Sequence, residues 1–589
     1  MGPQTNTTKV QITRTNFWYV GILIIVAIFL LRAFYLQIIR YNYYHHAALS
    51  DQLKEYEITA QRGSIKAHMG DTTVPIVLNE KLYTIYADPS LIKKPDVVAA
   101  TMADILGGTM QDYKNDITRK DTRYVVLAKK VGKDQKNRLL AKKYPGVGAD
   151  EVNYRTYPNG SLASQLLGFV NAEGQGVYGI EQALNTQLSG TAGQLKAVTD
   201  INGVPLAASP GNILRDPVPG KDVTLTVDVG MQKQLEDILK KGIEHAKAPS
   251  GSALIMDLHS GAVKAMANYP TYDPANYGQV EDASLFNNAA VSHPIEVGST
   301  MKVLTTASAL NQGVIKPTTT YYDPSHYVID DFTVKNIEED GGAGTKSVAD
   351  ILNLSLNTGA TWELMQMGGG QLNLQSREKW NDYMVNHFRF SKQTGIEQNN
   401  EATGYVPGPE NNGAGINLTY ANTAFGQAMT ATAIQMGAAL SAVLNGGTYY
   451  QPTLVDSYVD ADGKTVKNEP KVLARDVVSS QVSSDMVPLM EYVVEHHYFN
   501  PKFDQKAYAV GGKTGTAQIA KAQGGGYEDN LYNGTYMGFV GGDTPQYVIV
   551  VFVNKPKIAG YAGSQAAQPI FGDLAHMLID DFGVIPKTK

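Results

Sequence analysis

The pattern of apolar and polar positions divides the chain into three stretches. The first is one apolar run, Phe17 to Ile39, reading FWYVGILIIVAIFLLRAFYLQII. As a helix it is roughly 34 Å long, enough for a hydrocarbon core of about 30 Å. The second, from Tyr41 to about Gly220, has short alternating runs such as LYTIYADP, broken by Gly, Pro, Asn and Asp, and predicts an irregular strand-rich region. The third opens after LRDPVPGKD, Leu214 to Asp222. There VTLTVD predicts a strand, Asp228 an N-cap, and VGMQKQLEDILKKGIEHAKA an amphipathic helix. SALIMDLHSGAVKAMANYP predicts a hairpin turning at His259-Ser260-Gly261. YAVGGKTGTAQIA, GTYMGFVGG and YVIVVFVNKP predict three more strands, and a helix is expected near Ile570 to Phe582. The expected fold class is α/β (α+β): an antiparallel five-stranded sheet sandwiched by helices, with a long helical insert. The layout is a tail over 1–16, an anchor over 17–39, a strand-rich region over 40–220 and a mixed helix-and-sheet region over 221–589.

Composition narrows the class. A chain of 589 residues with 43% hydrophobic and 18% charged residues is folded and too long for one core. Net charge is −6, without the basic face that nucleic-acid binding requires. Cysteine is absent, which excludes disulfides, thiolate metal sites and thiol catalysis. Lys9 and Arg14 precede the apolar run with no acidic residue, so the N-terminus is expected in the cytoplasm and everything after Arg40 outside it. The run is long for a cleaved signal and no small-x-small site follows closely, which favours a retained single-pass anchor. Arg32 interrupts the run; it either snorkels to the interface or contacts another membrane protein.

Candidate chemistry begins at EVGSTMKVLTTASAL. Ser299 and Lys302 stand three apart at the head of a helical pattern, hence on one face. Ser-x-x-Lys also occurs at Ser90 to Lys93 and Ser376 to Lys379, so the spacing alone decides nothing. Two later strings single out Ser299: LSLNTG, with the one Ser-x-Asn (Ser355, Asn357), and GGKTGTAQ, with the one Lys-Thr-Gly (Lys513, Thr514, Gly515), followed by Thr516. A Ser hydroxyl needs a base to become a nucleophile. Lys302 serves only when its amine is neutral part of the time, and burial together with a second cation, Lys513, favours that. Ser355 is placed to relay a proton to a leaving amine, and Asn357 to hold either a substrate amide or Lys302. Lys513, Thr514 and Thr516 suit a substrate carboxylate. Gly515 leaves room for a substrate backbone along the strand, and the backbone N–H groups of Ser299 and Thr516 would form the oxyanion hole. Gly174, Gly176 and Gly179 spell Gly-x-Gly-x-x-Gly, but no second parallel strand with a well-placed acid follows, so a dinucleotide site is not expected. No cofactor and no metal is called for.

The ordered trio Ser-x-x-Lys, Ser-x-Asn, Lys-Thr-Gly resembles that of class B penicillin-binding proteins. The resemblance covers nearly the whole chain. RGSIKAHMG from Arg62 resembles the family's Arg-Gly-x-Ile opening. YRTYPNGSLASQLLGFV and GVYGIEQALNTQLSGTAG resemble its pedestal motifs, with Gly176, Gly179 and Glu181 at the Gly-x-x-Gly-x-Glu positions. FGQAMTATAIQM and NGGTYYQP, from Phe425 and Asn445, resemble the segment between the second and third catalytic motifs. Val297, Met301, Leu356, Ala67 and His68 depart from the family's usual residues. The resemblance implies a peptidoglycan D-Ala-D-Ala transpeptidase working through a Ser299 acyl-enzyme, bound by β-lactams, division-type rather than elongation-type. It also implies a membrane-embedded glycan polymerase of the SEDS type and division proteins as partners, since no glycosyltransferase domain precedes the pedestal. The alternatives are a D,D-carboxypeptidase or β-lactam hydrolase, and an idle scaffold or β-lactam sensor.

Overall fold

Asp228 shows how the sequence begins to fold. Its side chain accepts from the Met231 N–H at 3.0 Å and caps the helix Val229–His245 (α1). Met231, Leu235, Leu239 and Ile243 form the buried stripe of that helix. A computed structural model describes residues 14–44, 53–198, 213–337, 342–410, 415–460, 462–496, 502–521 and 526–588 of the chain. Lys9 and most of the tail expected over 1–16 lie outside these.

The chain divides into two units, 1–61 with 190–219, and 62–189 with 220–589. The first contains the helix Arg14–Phe34, continued by a π-turn over Tyr35–Ile39, and a small antiparallel sheet of Leu53–Ile58, Gly193–Val198 and Ile213–Arg215. Residues Asn16–Ile39 make one helix long and apolar enough to cross a membrane. The Arg32 guanidinium sits 5.4 Å from the centre of the Tyr35 ring.

In the second unit, a seven-stranded sheet takes strands from both sides of residue 220. Val223–Asp228 runs parallel to Ile65–Met69 and antiparallel to Val455–Val459. It therefore joins strands from both sides of residue 220 in one sheet. The pedestal motifs meet beside this sheet. Glu181, fully buried, takes Arg62 Nη2 at 2.5 Å and Arg155 Nε at 2.7 Å. Arg62 also donates to Asn185 Oδ1 (2.9 Å), and Arg155 to the Gly63 carbonyl (2.7 Å) and Asn79 Oδ1 (2.9 Å). A Cβ on Gly176 would lie 1.8 Å from the Glu181 carbonyl oxygen, so this glycine serves backbone packing around the ion cluster.

The catalytic sheet has the expected five antiparallel strands: Ser250–Asp257 (β1), Val263–Tyr269 (β2), Ala509–Ala520 (β3), Tyr527–Gly541 (β4) and Pro545–Asn554 (β5), in the order β2-β1-β5-β4-β3. Period-two alternation sends its side chains into two cores. Leu254, Met256, Val548 and Val550 join one with the helices Met301–Asn311 (α2) and Ala433–Leu444. Ala253, Ile255, Ile549 and Val551 join the other with α1 and Gln568–Asp581 (α5). Helices Val348–Asn353 (α3) and Asn357–Met367 (α4) lie in the insert beside α2. Among the described residues β3 stands at the edge of this sheet.

Candidate active site

The nucleophile candidate sits where the chain turns into α2. Gly298–Thr300 forms a 3₁₀ turn, and no side chain caps either this turn or α2, so the Ser299 hydroxyl is not used as a helix cap. The other two serines of the repeated spacing have local roles. Ser90 Oγ donates to Asp88 at 2.6 Å, and Ser376 belongs to the capping box of the helix Leu374–Asp382.

Every residue of α2 from Met301 to Leu310 is buried. Lys302 is fully so, and Nζ donates to the Ser355 carbonyl oxygen (2.5 Å), Ser355 Oγ (3.2 Å) and Asn357 Oδ1 (2.8 Å). The first two motifs thus meet at one amine. Ser355 lies between α3 and α4 with a left-handed backbone, φ +55°. Asn357 spends its Nδ2 on the Lys335 carbonyl (3.1 Å), so of the two uses open to it from sequence, this geometry has it holding Lys302. Behind it, Thr358 Oγ1 donates to both oxygens of buried Asp323 at 2.9 Å. Asp323 also accepts from Asn336 Nδ2 (2.9 Å) and the Ser325 N–H (2.8 Å).

The third motif closes the site from the sheet edge. Lys513, 1% exposed, turns its Nζ to the Thr514 carbonyl (3.1 Å) and hydroxyl (3.4 Å). Thr516 Oγ1 accepts from the Gly563 N–H at 2.9 Å and keeps its own proton to donate. A Cβ on Gly298 would lie 2.8 Å from the Thr516 carbonyl oxygen and 3.1 Å from its nitrogen, so the nucleophile turn and the strand are in backbone contact. The structure gives Gly515 a reason other than room for substrate. A Cβ there would lie 2.2 Å from Thr535 Oγ1 and 2.5 Å from the Val297 carbonyl oxygen, the atom to which Thr535 Oγ1 donates at 2.7 Å. The absent side chain lets the turn carrying Ser299 seat on the sheet.

Val297, Met301 and Leu356 are each 0% exposed, so the departures from the family pattern next to the catalytic motifs are core-facing. Ala67 is likewise buried, and His68 lies 3.7 Å from Asp456. Two acids escaped the sequence reading. Glu296 accepts from the Ala428 N–H (3.0 Å) and Tyr527 Oη (3.4 Å), and burial pushes its carboxyl up to about 7. Glu363, 0% exposed on α4, meets the Thr306 hydroxyl at 2.9 and 3.1 Å, and burial pushes it up to about 8. The one visible signal was an acid inside the otherwise uncharged helix NTGATWELMQM.

The sequence matches the penicillin-binding protein transpeptidase domain over residues 251–576 and the penicillin-binding protein dimerisation domain over 57–225. It is 30% identical over 537 residues to stage V sporulation protein D of Bacillus subtilis, covering 90% of this chain and 79% of that one. It is 25% identical to the peptidoglycan D,D-transpeptidase FtsI of Buchnera aphidicola, covering 90% and 88%. The crystal structure of penicillin-binding protein 2X from Streptococcus thermophilus superposes with a TM-score of 0.72 at 23% identity, over 90% of this chain and 81% of that one. With a transpeptidase domain over more than half its length and a dimerisation domain before it, the chain belongs to the class B penicillin-binding proteins, the serine transpeptidases of division type.

Proposed function

We propose that the chain crosslinks peptidoglycan stem peptides through an acyl-enzyme on Ser299. Lys302 is the base: its amine takes the Ser299 proton as Oγ attacks the carbonyl carbon of the terminal D-Ala-D-Ala bond. Ser355 passes that proton to the leaving D-Ala nitrogen as the C–N bond breaks. An amine of a neighbouring stem peptide then attacks the ester carbonyl and yields a proton to Lys302, which passes it to Ser299 Oγ as the ester C–O bond breaks. Asn357 positions Lys302, while Lys513, Thr514 and Thr516 bind the terminal carboxylate. The backbone N–H groups of Ser299 and Thr516 hold the oxyanion. A β-lactam enters by the same acylation.

The observation that carries this reading is the meeting of Lys302 with Ser355 and Asn357 while the Thr516 backbone lies against Gly298. Purified protein mixed with a stem-peptide donor and an amine acceptor tests it. Crosslinked dimer that disappears with penicillin is the expected product. Free D-Ala alone makes the protein a carboxypeptidase, and no product with intact penicillin labelling makes it a sensor.

The proposed layout keeps the tail over 1–16 in the cytoplasm, the anchor over 17–39 in the membrane, and the pedestal (40–220) and catalytic domain (221–589) outside. The proposed neighbour is a SEDS-type glycan polymerase of the division machinery. In lipid, apolar area gives helices no drive to associate, so Gly21, Ala27 and Arg32 are the contact positions. Arg32→Leu should leave insertion and penicillin labelling intact and weaken co-purification with the polymerase. Unchanged co-purification and polymerase activity move the contact to the pedestal.

A further inference from the structure

Glu363 is a fully buried carboxyl that the acylation chemistry above does not use. It sits on α4, whose first residue, Asn357, accepts from Lys302. Its hydrogen-bond partner is the hydroxyl of Thr306, one turn beyond Lys302 on α2. Lys302 and Glu363 are therefore tied to each other through both helices: one side chain is held at the head of α4, and the other is held one turn further along α2.

We propose that Glu363 is a positioning residue for acylation, a buried carboxyl whose protonation state governs whether Lys302 can release its proton. This rests on Lys302 being the base. The carboxyl lies where water does not screen it, so its charge would act on Lys302 with far more force than a surface carboxylate. Ionised, it would favour the ammonium form of Lys302 and keep the amine from accepting the Ser299 proton. Neutral, it leaves that proton free to move.

The surroundings favour the neutral form around pH 7. Burial raises the carboxyl to about 8, against smaller pulls from Thr306 and from the Lys302 charge. Other ionisable groups on the elements around α4 do not offset this. Asp350 on α3 is engaged in the Ser347 capping box, and Arg377 reaches the Pro409 carbonyl and Asn417. Lys335 and Glu378 are exposed. Tyr321 has its phenol pushed well above the usual range by burial and by the charges of Asp323 and Glu363, so it stays neutral. Lys302 is the charge that acts on Glu363, and by linkage Glu363 acts equally on Lys302.

The experiment is the pH dependence of covalent labelling by a fluorescent penicillin, on full-length protein in detergent from about pH 6 to about pH 10. Melting curves confirm that each variant is folded. Glu363→Gln, which fixes the neutral form, should match wild type within about twofold below about pH 7 and exceed it about tenfold or more well above pH 8, where wild-type Glu363 ionises. Thr306→Val removes the hydrogen bond that stabilises the carboxylate, so the wild-type break should move to higher pH. Superimposable profiles for wild type and Glu363→Gln, or a loss of the same factor at every pH, overturn the inference and leave the Ser299 assignment standing. Normal labelling of Lys302→Arg would instead overturn the base assignment, and this inference with it.

Discussion

The Lys302 amine donates to the carbonyl oxygen of Ser355 at 2.5 Å, and that carbonyl is aimed by a left-handed backbone at Ser355, φ +55°. A non-glycine residue in this region costs about 1–3 kcal/mol and persists where its surroundings enforce it. Here the enforcement is the α3–α4 junction, with the Ser355 N–H on the Leu352 carbonyl and the Leu356 N–H on the Ile351 carbonyl. The carbonyl and the hydroxyl of one serine thus do different work: the first places Lys302, the second is available to move a proton. Ser355→Ala should keep Lys302 in place and the melting temperature unchanged, while penicillin acylation slows roughly 10²–10⁴-fold, as when a proton-transfer group is lost. Stopped-flow acylation together with calorimetry checks this.

The nucleophile is separable from its look-alikes. Ser299→Ala should abolish covalent labelling by fluorescent penicillin, whereas Ser90→Ala and Ser376→Ala should retain it. Ser90→Ala loses its hydroxyl bond to Asp88 and Ser376→Ala the bond its hydroxyl accepts from the Asn373 N–H, while the capping side chains of Asp88 and Asn373 stay in place. Labelling that survives in Ser299→Ala overturns the assignment.

Lys302→Arg keeps a long cation in the same buried position but cannot yield its proton. Acylation should fall by about 10²–10⁴-fold. The rate of labelling of the folded variant, compared with wild type at equal protein concentration, is the measurement.

Gly515→Ala tests the seating of the nucleophile turn on the sheet. The added methyl meets Thr535 Oγ1 and the Val297 carbonyl at 2.2 and 2.5 Å. Overpacking of this kind costs about 1–3 kcal/mol. A lowered melting temperature and slower acylation should appear together, because the same displacement produces both. A variant acylated at the wild-type rate would mean that the turn tolerates the shift.

Glu181→Ala leaves Arg62 and Arg155 facing each other without their shared carboxylate. Removing one partner of a buried ion cluster costs about 3–5 kcal/mol. Denaturant unfolding should show that loss.

Glu296 gives the catalytic domain a pH dependence. Its folded-state value, about 7, lies above the ordinary 4.5, so folding favours the protonated form. The stability this contributes is complete below about pH 4.5 and is lost as pH rises through about 7. Glu296→Gln should be flatter than wild type across that window in melting curves taken at constant ionic strength. Parallel curves for the two proteins would show that Glu296 does not titrate there.

The sequence by itself determined what local chemistry can encode. The apolar run over 17–39, the Asp228 cap, the alternation of the five sheet strands and the three catalytic strings are local patterns, each with a local physical cause. Tertiary structure decided what depends on residues far apart in the chain. Val223–Asp228 has strand periodicity in any sheet, and only its pairing with Ile65–Met69 on one side and Val455–Val459 on the other sets it between strands far apart in the chain. The Arg62 and Glu181 motifs are legible 119 residues apart, but their shared ion cluster is not. Gly515 reads as open space for a ligand until the Val297 carbonyl and Thr535 are seen to fill it. Glu363 is one acid among many until folding removes its water and sets the Thr306 hydroxyl against it; burial is a property of the assembled core and has no signature at the residue itself.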